Sequence, residues 1–115
     1  MPTDARDAAL SAVEIFCESR IPEELRDEIR LECSRRGNSI TLVERRPPWN
    51  PELIGDEWAT MKIAQLRHDP ASKTWSLYCR DSNDRWWPYD NIAPSAGVDA
   101  LLAEIDADPT GIFWG

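Results

Sequence analysis

One histidine, His68, and three cysteines, Cys17, Cys33 and Cys79, are the whole supply of imidazole and thiol in this chain. A catalytic triad or a histidine-pair metal centre would have to rest on that single imidazole. His68 precedes Asp69 and Pro70, a sequence that reads as a strand running into a turn. The cysteines are odd in number and widely spaced, unlike a secreted disulfide framework or the close pairs of a structural zinc site. They read as buried free thiols, and no metal or other cofactor is expected.

Carboxylates are abundant, 21 of 115 residues. Glu44 with Asp56, Glu57 or His68 is the set a small metal-assisted hydrolase would use. Nothing in the spacing brings them together, and the five dispersed glycines make no phosphate-cradling loop. A hydrolase is therefore the least supported class, and the reading leans away from an enzyme.

The better-marked residues are aromatic and cationic. Arg46 to Trp58 is a proline-stiffened stretch with Pro47, Pro48 and Pro51, rooted on Arg45 and Arg46 and carrying Trp49 and Trp58. It either plugs one end of a small core or displays its tryptophans to a partner. Tyr78, Trp87 and Tyr89 alternate with Arg80 and Arg85, the mixture that sheets use to stack single-stranded bases and hold phosphates. The chain closes with Ile112, Phe113 and Trp114 just before Gly115, too apolar for a loose tail, so the C-terminus is expected to dock on the domain or on a partner.

The elements that must position these residues follow from period and punctuation. Leu10, Val13, Phe16 and Cys17 recur at helical spacing after possible caps at Thr3 and Asp4, and Pro22 ends the run. From Ile29 the period becomes two. Leu31 and Cys33, then Ile40 and Leu42, flank a turn at Arg36, Gly37 and Asn38. A second meander begins near Lys62 and passes through turns at Asp69–Pro70 and Asp81–Asp84 to a last strand with Trp86 and Pro88. Pro88 marks that strand as an edge. Val98, Leu101, Leu102 and Ile105 form a second amphipathic helix after Pro94 and a possible cap at Ser95, ending before Pro109.

Parity then assigns faces. An even loop centred on Ala71 and Ser72 pairs Ala64 with Cys79 and Leu66 with Leu77. An even loop centred on Ser82 and Asn83 would pair Cys79 with Trp86 and Leu77 with Pro88. The opposite face would then collect Gln65, Arg67, Ser76, Tyr78, Arg80, Arg85, Trp87 and Tyr89, with Arg80 and Arg85 as cross-strand neighbours. In this register His68 opposes Trp75, about 13 Å from Cys79 at about 3.3 Å per residue, so one metal cannot bridge them.

Length and composition bound the rest. At 115 residues, 42% of them hydrophobic and six of them tryptophan, the chain suits one domain over 1–115. The expected fold is α+β: an N-terminal helix, an antiparallel sheet of about five strands in two hairpin or meander units, and a C-terminal helix packing on the sheet. No apolar run reaches the roughly 18 residues of a membrane span, and the acidic start is unlike a signal peptide, so a cytoplasmic protein without membrane contact is expected. The net charge of −8 opposes indiscriminate binding to polyanions. It is unevenly spread: residues 1–28 carry −5, residues 29–89 carry +2 and residues 90–115 carry −5.

The segment Glu44-Arg45-Arg46-Pro47-Pro48-Trp49, the strand Thr74 to Asp81, the run Ala100 to Asp106 and the terminal Asp108 to Gly115 together resemble a bacterial family, domain of unknown function 3024. The similarity runs from about Asp27 to the end. It implies no activity, cofactor or catalytic residue. The reading that remains is a non-catalytic binding or adaptor domain engaging a protein partner through Trp49, Trp58, Trp114 or the aromatic sheet face. Its rival is a nucleic-acid-binding or processing domain using Arg45, Arg46, Arg80 and Arg85 as phosphate contacts.

Overall fold

The computed structural model describes residues 5–47 and 59–114. Its elements in chain order are α1 (Ala5–Arg20), a 3-10 turn (Glu23–Leu25), β1 (Arg30–Arg36), β2 (Ser39–Arg46), β3 (Ala59–Asp69), β4 (Thr74–Arg80), β5 (Trp86–Pro88) and α2 (Asp99–Ala107). The strands form one antiparallel sheet in the order β1-β2-β3-β4-β5, the expected α+β architecture.

Alanine and other good helix formers carry α1, which stops at Arg20 because the residue before Pro22 is biased against helical backbone. Its buried stripe is Ala9, Val13 and Cys17, with Leu10 and Phe16 partly buried beside it. Leu101, Leu102 and Ile105 are the matching stripe of α2. Both helices press on the same side of the sheet, against Ile40, Leu42, Ala64, Leu66, Trp75, Leu77 and Cys79. Each such aliphatic side chain contributes about 1.5–3 kcal/mol by leaving water. At β3 the register slips by one: Leu42 faces Ala64 but Val43 faces Lys62, so Ile63 is an extra residue and Ile63 and Ala64 are both buried.

The turns carry their own logic. Gly37, at φ 60°, opens the two-residue β1–β2 turn as the first central residue of a II′-type hairpin. The four-residue β3–β4 loop is even, as expected, and pairs Ala64 with Cys79 and Leu66 with Leu77. Asp69 ties it by accepting from the Ala71 N–H at 3.0 Å and the Ser72 hydroxyl at 3.1 Å. Asp81 does the same for the next loop, accepting from the N–H groups of Asn83 and Arg85 at 2.9 and 2.8 Å.

That β4–β5 loop corrects an expectation. It runs over five residues, Asp81 to Arg85, with Asp84 in the left-handed region at φ 62°, so Arg80 faces Trp86, Cys79 faces Trp87 and Tyr78 faces Pro88. One extra residue turns every side chain of β5 over. The cap expected at Ser95 is also absent: α2 starts at Asp99, and Ser95 instead forms a two-way backbone bridge with Trp75.

Asp69 and Asp81 both sit below the usual carboxylate range. The largest cause is the accepted backbone N–H of Ala71 in the first and of Arg85 in the second. A carboxyl whose folded value is depressed adds stability above its unfolded value, near 3.9, and that stability is lost as pH falls through the folded value. The melting temperature should therefore hold from neutrality to about pH 5 and fall below about pH 4. Thermal melts of an Asp69→Asn/Asp81→Asn variant should show a shallower acid limb; an unchanged limb would place the acid sensitivity elsewhere.

Candidate binding face of the sheet

With both helices on one side, the other face of the sheet is covered by no helix among the described residues. Two cross-strand rows define it: Ser34, Thr41, Gln65, Tyr78 and Pro88, then Arg36, Ser39, Arg67 and Ser76. A third group at the bulge holds Glu32, Val43, Lys62, Arg80 and Trp86. Along β4 the face is polar or aromatic while the alternate residues Trp75, Leu77 and Cys79 are buried.

The side chains are ordered by one another. The Arg67 guanidinium lies 3.9 Å over the Tyr78 ring and donates from Nε to Gln65 Oε1 at 2.6 Å. Gln65 in turn donates to Thr41 Oγ1 at 3.0 Å. Lys62 Nζ is 5.7 Å from the centre of the Trp86 ring and 3.3 Å from Asp84 Oδ2, and Arg80 Nη1 is 3.5 Å from Asp84 Oδ1. Arg45 Nη1 meets Glu32 Oε2 at 3.4 Å, while its buried Nε has no hydrogen-bond partner among the described residues. Arg36, Arg45, Lys62, Arg67 and Arg80 thus lie on this face with Glu32, and Asp84 reaches them from the turn. The chain as a whole is at −8. Five of the thirteen basic residues lie on this face, while α2 carries Asp99, Glu104 and Asp106 with no basic residue and Arg20, Arg35 and Arg46 are paired on the helix side.

Of the ten candidate residues, Tyr78, Arg80 and Arg45 lie on this face. Trp49 and Trp58 fall outside the described residues. Tyr89 does not belong to it: the β5 inversion buries its ring against Phe113, and its hydroxyl donates to Glu104 Oε2 at 2.7 Å. Burial first, and Glu104 second, push the Tyr89 phenol up. Trp87 turns to the helix side, where it stays 64% exposed. Arg85 sits in the turn beside Asp81, at 3.8 Å, and not opposite Arg80. Arg46 lies on the helix-side rim, bonded to Glu44 at 2.6 Å, in a cleft of about 470 Å³ with Arg20 and Trp114. Trp114 is docked: its indole N–H donates to Ile105 O at 2.7 Å, the Arg20 guanidinium stacks on its ring at 4.0 Å, and Asp108 accepts from the N–H groups of Phe113 and Trp114.

Sequence reasoning missed Lys62 and Trp86 on the face. For Trp86 the available signal was the Asp-rich β4–β5 loop, because Asp tolerates the left-handed conformation seen at Asp84; Lys62 reaches the face through the bulge at Ile63. Among the described members of the hydrolase set, Glu44 and His68 do not come together. Glu44 pairs across from Met61, and His68 lies seven residues farther along β3, about 23 Å away. Asp56 and Glu57 are outside the described residues. His68 stacks on Trp75 with ring centres 4.8 Å apart. No group of three potential metal ligands occurs among the described residues, and no helix there is long and apolar enough to cross a membrane.

A family model described as Domain of unknown function (DUF3024) matches residues 1–115, so the similarity extends through α1 as well as the segments after Asp27. Comparison with curated proteins and with solved structures yields no match.

Proposed function

Because the chain belongs to the family described as Domain of unknown function (DUF3024), which brings no activity with it, its role has to be read from its own surface, and we propose a non-catalytic binding domain whose uncovered sheet face takes single-stranded nucleic acid. The observation that carries this reading is the clustering of Arg36, Arg45, Lys62, Arg67 and Arg80 around Tyr78 and Trp86 in a chain of net charge −8. Bases stack on aromatic rings and on guanidinium planes, each worth about 1–3 kcal/mol, while neighbouring cations hold the phosphates. The flat Arg67–Tyr78 pair offers such a plane. A duplex hides its bases from it. The free thiols Cys17, Cys33 and Cys79 fit a cytoplasmic setting for this role.

The test is fluorescence anisotropy of short labelled single strands titrated with the protein over a range of salt. With about three to five phosphate contacts, log affinity should fall against log salt with a slope of about −2 to −4. No binding at low salt, or a flat salt response, would overturn the reading.

A protein partner is the second reading, favoured by Trp87, which is exposed on the short edge strand β5. An interface anchored by Trp87 would persist at high salt and vanish on Trp87→Ala.

A further inference from the structure

Cys17 and Cys33 come from different elements yet share a site. Cys17 sits on the buried stripe of α1, and Cys33 sits on β1 opposite Leu42, on the sheet side that α1 covers. Both line one surface cavity of about 280 Å³ with Glu14, Glu18, Leu31 and Glu32. Cys79 lies two strands away from β2, next to Ala64 on the β3–β4 seam, and is not part of it. We propose that Cys17 and Cys33 are a hydroperoxide-responsive dithiol site that closes reversibly into a disulfide joining α1 to the sheet.

The geometry supplies the chemistry. The neighbouring Cys17 lowers the Cys33 thiol below its ordinary value, against the opposing effects of burial and of Glu14 and Glu18. Cys17 is correspondingly raised, first by Cys33 and then by burial, with Glu14 and Glu18 adding to it. Cys33 is the less buried of the two and the one a solute reaches first, which makes it the nucleophile and Cys17 the resolving thiol. Its thiolate attacks one oxygen of the peroxide, the O–O bond breaks, and the departing hydroxide takes a proton to leave as water. Cys33 is now a sulfenic acid. The Cys17 sulfur then gives up its proton and attacks the Cys33 sulfur, and the hydroxyl leaves with that proton as a second water. Two thiols have lost two electrons to one peroxide. A dithiol reductant reverses the step by exchange through a mixed disulfide. The three glutamates make the mouth of the cavity acidic, which disfavours anionic oxidants such as glutathione disulfide and leaves small neutral hydrogen peroxide as the fitting one.

The experiment is titration of the reduced, folded full chain with hydrogen peroxide, followed by alkylation, trypsin digestion and mass spectrometry. The expected product is peptide 7–20 joined to peptide 31–35, lighter than the two together by two hydrogen atoms, with Cys79 alkylated. Dithiothreitol should restore both free thiols. The oxidised chain should melt several degrees higher than the reduced one, because a native cross-link restricts the unfolded chain. In Cys17→Ser, Cys33 should stop as a dimedone-reactive sulfenic acid. If that variant does not fold, Cys79→Ser decides alone, since it must still form the 17–33 link. A link through Cys79, or oxidation of Cys33 to sulfinic acid in the wild type with Cys17 left alkylatable, would overturn the proposal.

Discussion

Trp75→Ala should destabilise the domain by about 3–5 kcal/mol, a large part of the roughly 5–15 kcal/mol that holds a domain of this size together. Trp75 is 2% exposed and among the largest fully buried side chains. Its ring lies against His68, and its backbone exchanges hydrogen bonds with Ser95 at 2.7 and 3.0 Å. That bridge ties the segment leading to α2 onto the sheet. Truncating the ring therefore leaves a cavity at the place where α2 is anchored. Urea unfolding followed by circular dichroism measures the loss, and Trp75→Phe, which keeps most of the apolar volume, should recover part of it. A loss below about 1 kcal/mol for the alanine variant would mean that the ring is not a core side chain.

Reversing charge on the sheet face should have the opposite profile. Lys62→Glu/Arg67→Glu/Arg80→Glu is expected to weaken single-strand binding by about 100-fold or more, since three phosphate contacts become repulsions. Stability should change little, because the partly exposed ion pairs given up at Asp84 are each worth about 0–1 kcal/mol. Lys73→Glu, on the exposed β3–β4 turn, makes the same change of sign away from the face and should lose only a few-fold. Equal losses for the face variant and the turn variant would show that net charge, not this face, governs binding. A face variant that binds like the wild type would remove the proposed interface altogether.

These two variants probe the two sides of one sheet, and the sides were not equally legible beforehand. The core side was. Val13 and Cys17 at helical spacing, Ile40 and Leu42 at strand spacing, and Leu101, Leu102 and Ile105 all proved buried, because apolar period follows local backbone geometry. The even β3–β4 loop with its Asp69-Pro70 signal also made the pairing of Ala64 with Cys79 readable. The side opposite the helices was half legible: Tyr78, Arg80, Gln65 and Arg67 were placed on it rightly, while Arg85, Trp87 and Tyr89 were placed there wrongly. The error is a single residue of loop length at Asp81 to Arg85, which alternation cannot detect because either parity of β5 presents a tryptophan to each side.

By itself, then, the amino-acid sequence determined the element types, the two hairpin or meander units of the sheet, the apolar stripes of both helices and the family, since each depends on neighbours close in the chain or on the pattern as a whole. Tertiary structure alone decided that both helices take the same side of the sheet, that the bulge at Ile63 brings Lys62 to Trp86, that Tyr89 and Trp114 are spent on internal packing, and that Cys17 and Cys33 line one cavity. Those outcomes rest on contacts between residues far apart in sequence. The side on which a helix lands and the register in which a strand pairs are set by the burial of the whole core, which no local window contains.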